Sequence, residues 1–232
     1  MTIVDKELGE IKLVLNRQAK RIIVRKKDGF LQLTHPPSVG LSYIEKTIEQ
    51  MRPRLLKLIE KKPVTLQFDT QTEFETFSFQ LKITESATIS NIYLKLKDGI
   101  LNITCPSNTN YADSSTQKII KEIIEKTLRY EANRLFPNKV KDLAAKHGFT
   151  FSNVKINKSR TRWGSCSSKK SINLSYYCML LPKYLVDFII LHELCHTIEM
   201  NHGERFWTLL DKVSNNRAKE FTQELKSFKT VL

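Results

Sequence analysis

The 232-residue chain is predicted to fold as an α+β protein, β-rich at its N-terminus and helical towards its C-terminus. Three observations predict this. Residues 1–110 alternate apolar and polar side chains between Asp-Gly turns. From Ser114 onward apolar residues recur at helical spacing instead. The run Tyr184–Leu191 is apolar almost all round, as a buried helix must be. A boundary near residue 110 follows, giving a β-rich region 1–110 with one inserted helix and a second domain over 111–232.

The N-terminal region contains an internal echo. Lys27-Asp28-Gly29-Phe30-Leu31-Gln32-Leu33-Thr34-His35-Pro36 resembles Lys97-Asp98-Gly99-Ile100-Leu101-Asn102-Ile103-Thr104-Cys105-Pro106, 70 residues later. Each places an Asp-Gly turn between alternating runs, a hairpin signal because both turn positions tolerate positive φ. A helical pattern follows each, from Leu41 to Ile59 and from Ser115 to Phe136, so a hairpin-plus-helix unit is predicted twice. Between them, Val64–Phe68 and Phe77–Ile83 read as half-buried strands and the acidic stretch Asp69–Glu75 as a solvated turn.

In the second domain Asp113 or Ser114 can cap a helix in which Ile119, Ile120, Ile123, Ile124, Leu128, Leu135 and Phe136 recur at helical spacing. Pro137 is expected to interrupt it and Gly148 to end its continuation. Short strands are predicted over Phe151–Ile156, Thr161–Cys166 and Ser171–Met179, and a closing helix carries Phe221, Leu225 and Phe228.

Chemistry concentrates at the end of the buried helix. Leu191-His192-Glu193-Leu194-Cys195-His196 sets two imidazoles four residues apart, hence on one helical face, with a carboxylate between them. Such a pair can ligate one zinc ion while the glutamate serves a metal-bound water. A catalytic zinc needs a third protein ligand, and Glu199, His202 and Glu204 are the candidates. Asn201 and Gly203 make a helix stop cheap, which favours His202; Glu199, on the stripe of His192, suits a supporting partner. The spacing of His192, His196 and His202 equals that of the metzincin pattern, but Glu199 stands where that pattern has glycine and no methionine follows Met200.

The motif, the following Asn201-His202-Gly203-Glu204-Arg205-Phe206-Trp207, and a second stretch, Arg162-Trp163-Gly164-Ser165-Cys166-Ser167 with Ile172-Asn173-Leu174, resemble the YgjP-like metallopeptidase family, akin in style to SprT-like zinc proteases. The resemblance spans nearly the whole chain. It implies a zincin-like second domain of backing helix, small sheet, active-site helix and C-terminal helices. It also implies His192, His196 and His202 as ligands of one zinc ion and Glu193 as the catalytic carboxylate. The activity expected is hydrolysis of peptide bonds in a peptide or protein substrate.

Three residues are candidates for substrate binding. Asn173 and Tyr176 lie on the strand entering the metal helix; were it a sheet edge, an extended peptide could add to it. Arg162 offers a cation for substrate or oxyanion. Trp163 and Gly164 read as a tight turn, and Phe206 and Trp207 as pins for the turn presenting His202.

Composition narrows the remaining classes. Net charge is +14, spread as 14 basic against 7 acidic residues in 1–62, 11 against 10 in 63–150 and 13 against 7 in 151–232. Such a basic chain has nucleic acid as a candidate partner. Competing readings are therefore a DNA-associated SprT-like protease, a hydrolase of non-peptide amides, and a non-catalytic zinc module. Cys105, Cys166, Cys178 and Cys195 form no C-x-x-C pair, which fits a reduced, cytoplasmic setting. Met1–Glu10 lacks the apolar core of a signal peptide, and the longest apolar run, broken by Asp187, is too short for a bilayer.

Overall fold

A computed structural model of the chain describes residues 1–27, 29–60, 66–230 and 232. The fold divides into two compact units, Met1–Val64 and Thr65–Leu232. In the first, β1 (Thr2–Asp5), β2 (Gly9–Leu15), β3 (Ile23–Lys27) and β4 (Phe30–His35) form a sheet of order β1-β2-β4-β3. Helix α1 (Leu41–Glu60) covers it, because Ile44, Ile48 and Leu55 share one helical face and meet Ile11, Leu31 and Leu33 of the sheet.

The second unit opens with the same design. Strands β5 (Phe74–Glu75), β6 (Gln80–Ser86), β7 (Tyr93–Lys97) and β8 (Ile100–Pro106) take the order β5-β6-β8-β7. The register repeats as well: Ile11 faces Leu31 in a parallel pair as Leu81 faces Leu101, and Ile23 faces Thr34 in an antiparallel pair as Tyr93 faces Thr104. In the β7–β8 turn Asp98 and Gly99 both have positive φ, 51° and 75°, which matches the right-handed twist of the flanking strands. In the first copy Gly29 has φ 84°, while Asp28 lies outside the described residues.

Helix α2 (Ser114–His147) follows β8. Asp113 caps it, accepting from the N–H groups of Ser115 and Thr116 at 3.1 and 3.0 Å, and Gly148 ends it in the left-handed conformation with φ 74°. Contrary to the sequence reading, Pro137 does not interrupt the helix, which runs through it. Phe136 and Val140, fully buried on either side, hold the two halves against one core, and packing outweighs the lost backbone hydrogen bond. The same core joins Leu101 and Ile103 of the sheet to Ile120, Ile124 and Leu128 of α2. The second hairpin sheet thus shares its core with α2, within the unit Thr65–Leu232.

Other boundaries also moved. Leu66–Phe68 forms no strand, and Val64 and Thr65 lie outside the described residues. The acidic stretch contains the short β5.

A small sheet then leads to the metal helix. Strands β9 (Asn153–Asn157), β10 (Gly164–Cys166) and β11 (Ser171–Ser175) take the order β10-β11-β9, so β11 is central. It pairs antiparallel with β10 and parallel with β9. A 3-10 turn, Tyr176–Leu180, replaces the predicted end of that strand. Helix α3 (Lys183–Cys195) then crosses the core, and its Asp187 pairs with Lys139 of α2 at 2.5 Å. Helices α4 (Glu204–Val213) and α5 (Ala218–Glu224) close the unit through Phe206, Leu210 and Phe221. Among the described residues no helix is long and apolar enough to cross a membrane.

Candidate functional site

The last turn of α3 and the start of α4 bring three imidazoles together. His192 Nε2 and His196 Nε2 lie 3.0 and 3.1 Å from His202 Nε2. Among the described residues these three are the group of side chains whose ligand atoms converge, all within 4.8 Å of one another; Glu199 and Glu204 contribute no carboxylate to it.

The local chain differs from the sequence reading in how it reaches this geometry. Helix α3 stops at Cys195, six residues before Asn201, and Asn201 and Gly203 do not adopt positive φ. Thr197 stops it instead: its N–H and its hydroxyl both return to the Leu194 carbonyl, at 2.9 and 2.7 Å. Ile198 and Glu199 N–H groups then share the Cys195 carbonyl, closing a tight turn. His196 keeps its place above His192 because its N–H still reaches the His192 carbonyl at 3.3 Å. Glu199 does support the site, but through its backbone: its carbonyl oxygen accepts from His196 Nδ1 at 3.0 Å. That bond fixes the hydrogen on Nδ1 and leaves Nε2 as a bare lone pair.

Phe206 is the floor of the cluster. Fully buried, it stacks on His196 at 4.5 Å between ring centroids and meets His192 and His202 edge-on at 4.9 and 4.7 Å. The sequence reading gave it the turn; the structure puts it against all three rings.

Electrostatics suit a cation. Burial, and then the neighbouring His196 and His202, hold His192 at about 3, and burial holds His196 below the ordinary imidazole range. His192 and His196 are thus held neutral, and both direct Nε2 at His202 Nε2, where a hydrogen on one nitrogen can serve at most one neighbour well. A metal ion meets this need, so the residues present fit one.

Glu193, 5% exposed, points elsewhere from the helix than the histidines but remains in the same interior. Burial pushes its carboxyl up to about 8, and Oε2 finds no hydrogen-bond partner among the described residues. Its surroundings are the loop that sequence reasoning could not place. A Cβ at Gly164 would lie 2.6 Å from Glu193 Oε1 and 2.7 Å from its Cγ. Gly164 is the first residue of β10 and has no positive φ, so it leaves room for the carboxylate rather than forming a turn. Burial and then the Glu193 charge push the thiols of Cys166 and Cys178 upward, which marks both as its neighbours.

The other predicted substrate residues fare unequally. Tyr176 is only 3% exposed, packed on Tyr177 at 4.6 Å between centroids in the 3-10 turn, and is part of the core. Asn173 is half-buried on the central strand, opposite Ser165, with Nδ2 3.5 Å from the Ser165 hydroxyl; the edges belong to β10 and β9. Arg162 is exposed just before β10, lining a cavity of about 360 Å³ with Trp163, Phe228 and Thr230.

Two solved structures share likeness with part of the chain. The metallopeptidase zymogen of Pyrococcus abyssi abylysin is 22% identical over 41% of this chain and 97% of its own, with a TM-score of 0.36. That of Methanocaldococcus jannaschii jannalysin is 26% identical over 38% of this chain and 91% of its own, with a TM-score of 0.34. No curated protein matches the chain. Residues 20–228 match the model of the YgjP-like metallopeptidase domain, which takes in the whole histidine cluster, Glu193 and the Gly164 strand; the chain belongs to this family of metal-dependent peptidases.

Proposed function

We propose that the chain is a zinc-dependent peptidase, with His192, His196 and His202 holding one ion and Glu193 acting as general base. The observation that carries this reading is the convergence of three imidazole Nε2 atoms, from the end of α3 and the turn after it, beside a buried carboxylate with an unpartnered oxygen. When bound, the ion supplies a Lewis acid that polarises a scissile carbonyl and makes water more acidic.

The chain's own residues supply the rest. Glu193 takes a proton from the attacking water and delivers it to the departing amine. A cation held by the adjacent histidines favours its charged form, offsetting the desolvation that raises it in the metal-free protein. Phe206 and the Glu199 carbonyl keep the imidazole rings from turning away. Strand β10 is one of the two outer strands of its sheet and touches Glu193 through Gly164, so an extended peptide adding to β10 would pass beside the carboxylate. Asn173 positions that strand through Ser165, and Arg162 at its entry is the cation assigned to the substrate.

A structural zinc would need a fourth protein ligand, and neither Glu199 nor Glu204 joins the converging group. The experiment is metal content by mass spectrometry, together with cleavage of a peptide library, for the wild type and for His202→Ala and Glu193→Gln. One equivalent of zinc in wild type and in Glu193→Gln, lost in His202→Ala, with turnover lost in both variants, is the expected result. Wild-type cleavage rates in Glu193→Gln would remove the assigned base. Cleavage confined to non-peptide amides would change the substrate class.

A further inference from the structure

The first unit holds none of the histidine cluster, yet it has a groove of its own. It runs between β3, the outer strand of its sheet, and α1, with a volume of about 640 Å³. Arg21, Arg25, Arg54 and Lys57 rim it, all four exposed, and no carboxylate is among its lining residues. None of the four forms an ion pair among the described residues. The floor is apolar, with Ile22, Met51 and Leu58 half-buried there.

Four acids of this unit are paired with cations that do not line the groove. Asp5, Glu7 and Glu49 are gathered by the single guanidinium of Arg52, and Glu10 pairs with Lys12. Neither Arg52 nor Lys12 lines the groove, and the rim presents four cations to a partner.

Three features constrain that partner. An outer strand presents a row of backbone N–H and C=O groups with no strand beside it. The floor asks for apolar side chains, and the rim for negative ones. An extended peptide of alternating acidic and apolar residues answers all three: it pairs with β3, drops its apolar face to the floor and turns carboxylates to the arginines. A nucleic acid would use the cations but leave the strand edge and the apolar floor unanswered.

The second unit sharpens the assignment. Its equivalent groove, between β7 and α2, has a volume of about 580 Å³, but Asp98 and Glu131 are among its lining residues. Lys97, Lys126 and Arg134 line it too, Arg134 paired with Glu131, so the frame recurs there with a mixed rim in place of the unmixed positive one.

We infer that the β3–α1 groove is a docking site for an acidic, extended peptide segment, bound by strand addition to β3. This is a recognition surface additional to the hydrolytic site, and its test reads binding rather than cleavage. The native chain is titrated against a fluorescent peptide of about eight residues alternating glutamate and valine, with binding followed by anisotropy. Saturable one-to-one binding that weakens with salt is expected, reduced about tenfold or more by the pair Arg25→Glu and Arg54→Glu. The same peptide N-methylated at alternate residues loses affinity by a similar factor, because it cannot complete the backbone pairing. A lysine–valine peptide does not bind. Both arginines are exposed, so circular dichroism is expected to show the variant folded; the N-methylated peptide tests the native chain whatever the variant does. Undetectable binding of the acidic peptide, equal binding of its N-methylated form, or affinity unchanged by the charge reversal overturns the inference. So does tight binding of a single-stranded oligonucleotide that the charge reversal abolishes while the peptide fails to bind, an outcome that gives the groove to nucleic acid.

Discussion

Gly164 and Glu193 sit so close that the smallest side chain at position 164 would overlap the carboxylate, with 2.6 Å from an added Cβ to Oε1 and 2.7 Å to Cγ. The overlap involves Cγ as well as the carboxylate tip, and Glu193 is buried, so the whole side chain would have to move. Gly164→Ala is therefore expected to lower kcat by about 10- to 100-fold, as a displacement of order 1 Å does to a catalytic group. Zinc content is expected to be unchanged, because the atoms an added Cβ meets first all belong to Glu193 and none to a histidine. Steady-state kinetics beside metal analysis checks this; full activity in the alanine variant would show that Glu193 has room to spare.

Phe206 makes a second prediction, on metal affinity. Its ring contacts all three imidazoles and is fully buried. Phe206→Ala is expected to cost about 3–5 kcal/mol in folding stability by leaving a cavity. Phe206→Leu keeps most of the volume, costing about 1 kcal/mol, yet removes the flat surface that stacks on His196. Zinc affinity in the leucine variant is expected to fall about tenfold, measured by competition with a chelator. Unchanged affinity there would limit Phe206 to core packing.

Zinc itself is expected to stabilise the fold, since His192 in α3, His196 at its end and His202 in the turn before α4 can meet around it only in the native chain. At free zinc about 100 times the dissociation constant the gain is about 2.7 kcal/mol, seen as a raised Tm. His202→Ala is expected to abolish the rise. A Tm that ignores zinc in the wild type would contradict a native metal site.

These relationships differ in how far the sequence discloses them. His192 and His196 were legible because one helical turn sets their spacing, and His202 because only a short turn separates it. The duplicated sheet was legible because Asp-Gly turns and alternating runs recur 70 residues apart with the same register. Gly164 was not, since its reason lies on another element 29 residues away and its backbone is ordinary. Strand order is equally non-local, so nothing within Ser171–Ser175 announces that β11 is central. Pro137 and the end of α3 misled for opposite reasons. In the first, tertiary packing overrode a local breaker; in the second, the Thr197 hydroxyl ended a helix without any glycine.

The final prediction concerns acid stability and the ties between α2 and the Arg160 segment. Glu125 of α2 accepts from Lys158 Nζ at 2.6 Å, from Arg160 Nη2 at 2.9 Å and from the Tyr177 hydroxyl, while Arg160 Nε also donates to that hydroxyl at 2.8 Å. Burial pushes the Glu125 carboxyl up, but these partners together outweigh it and hold the group at about 2, below its ordinary 4.5. A carboxyl lowered by folding binds its proton more readily in the unfolded chain. Its stabilising contribution is therefore complete above about pH 4.5 and is lost as pH falls towards 2. Lys158 and Arg160 are more than half exposed, so solvent screening reduces the contribution to about 2 kcal/mol. Glu125→Gln is expected to unfold about that much more easily at pH 7, with the gap to wild type closing between pH 4.5 and 2. Urea titrations of both proteins across that range measure it. A gap that persists unchanged at pH 2 would mean that the glutamate contributes by packing and hydrogen bonding alone, independent of its charge.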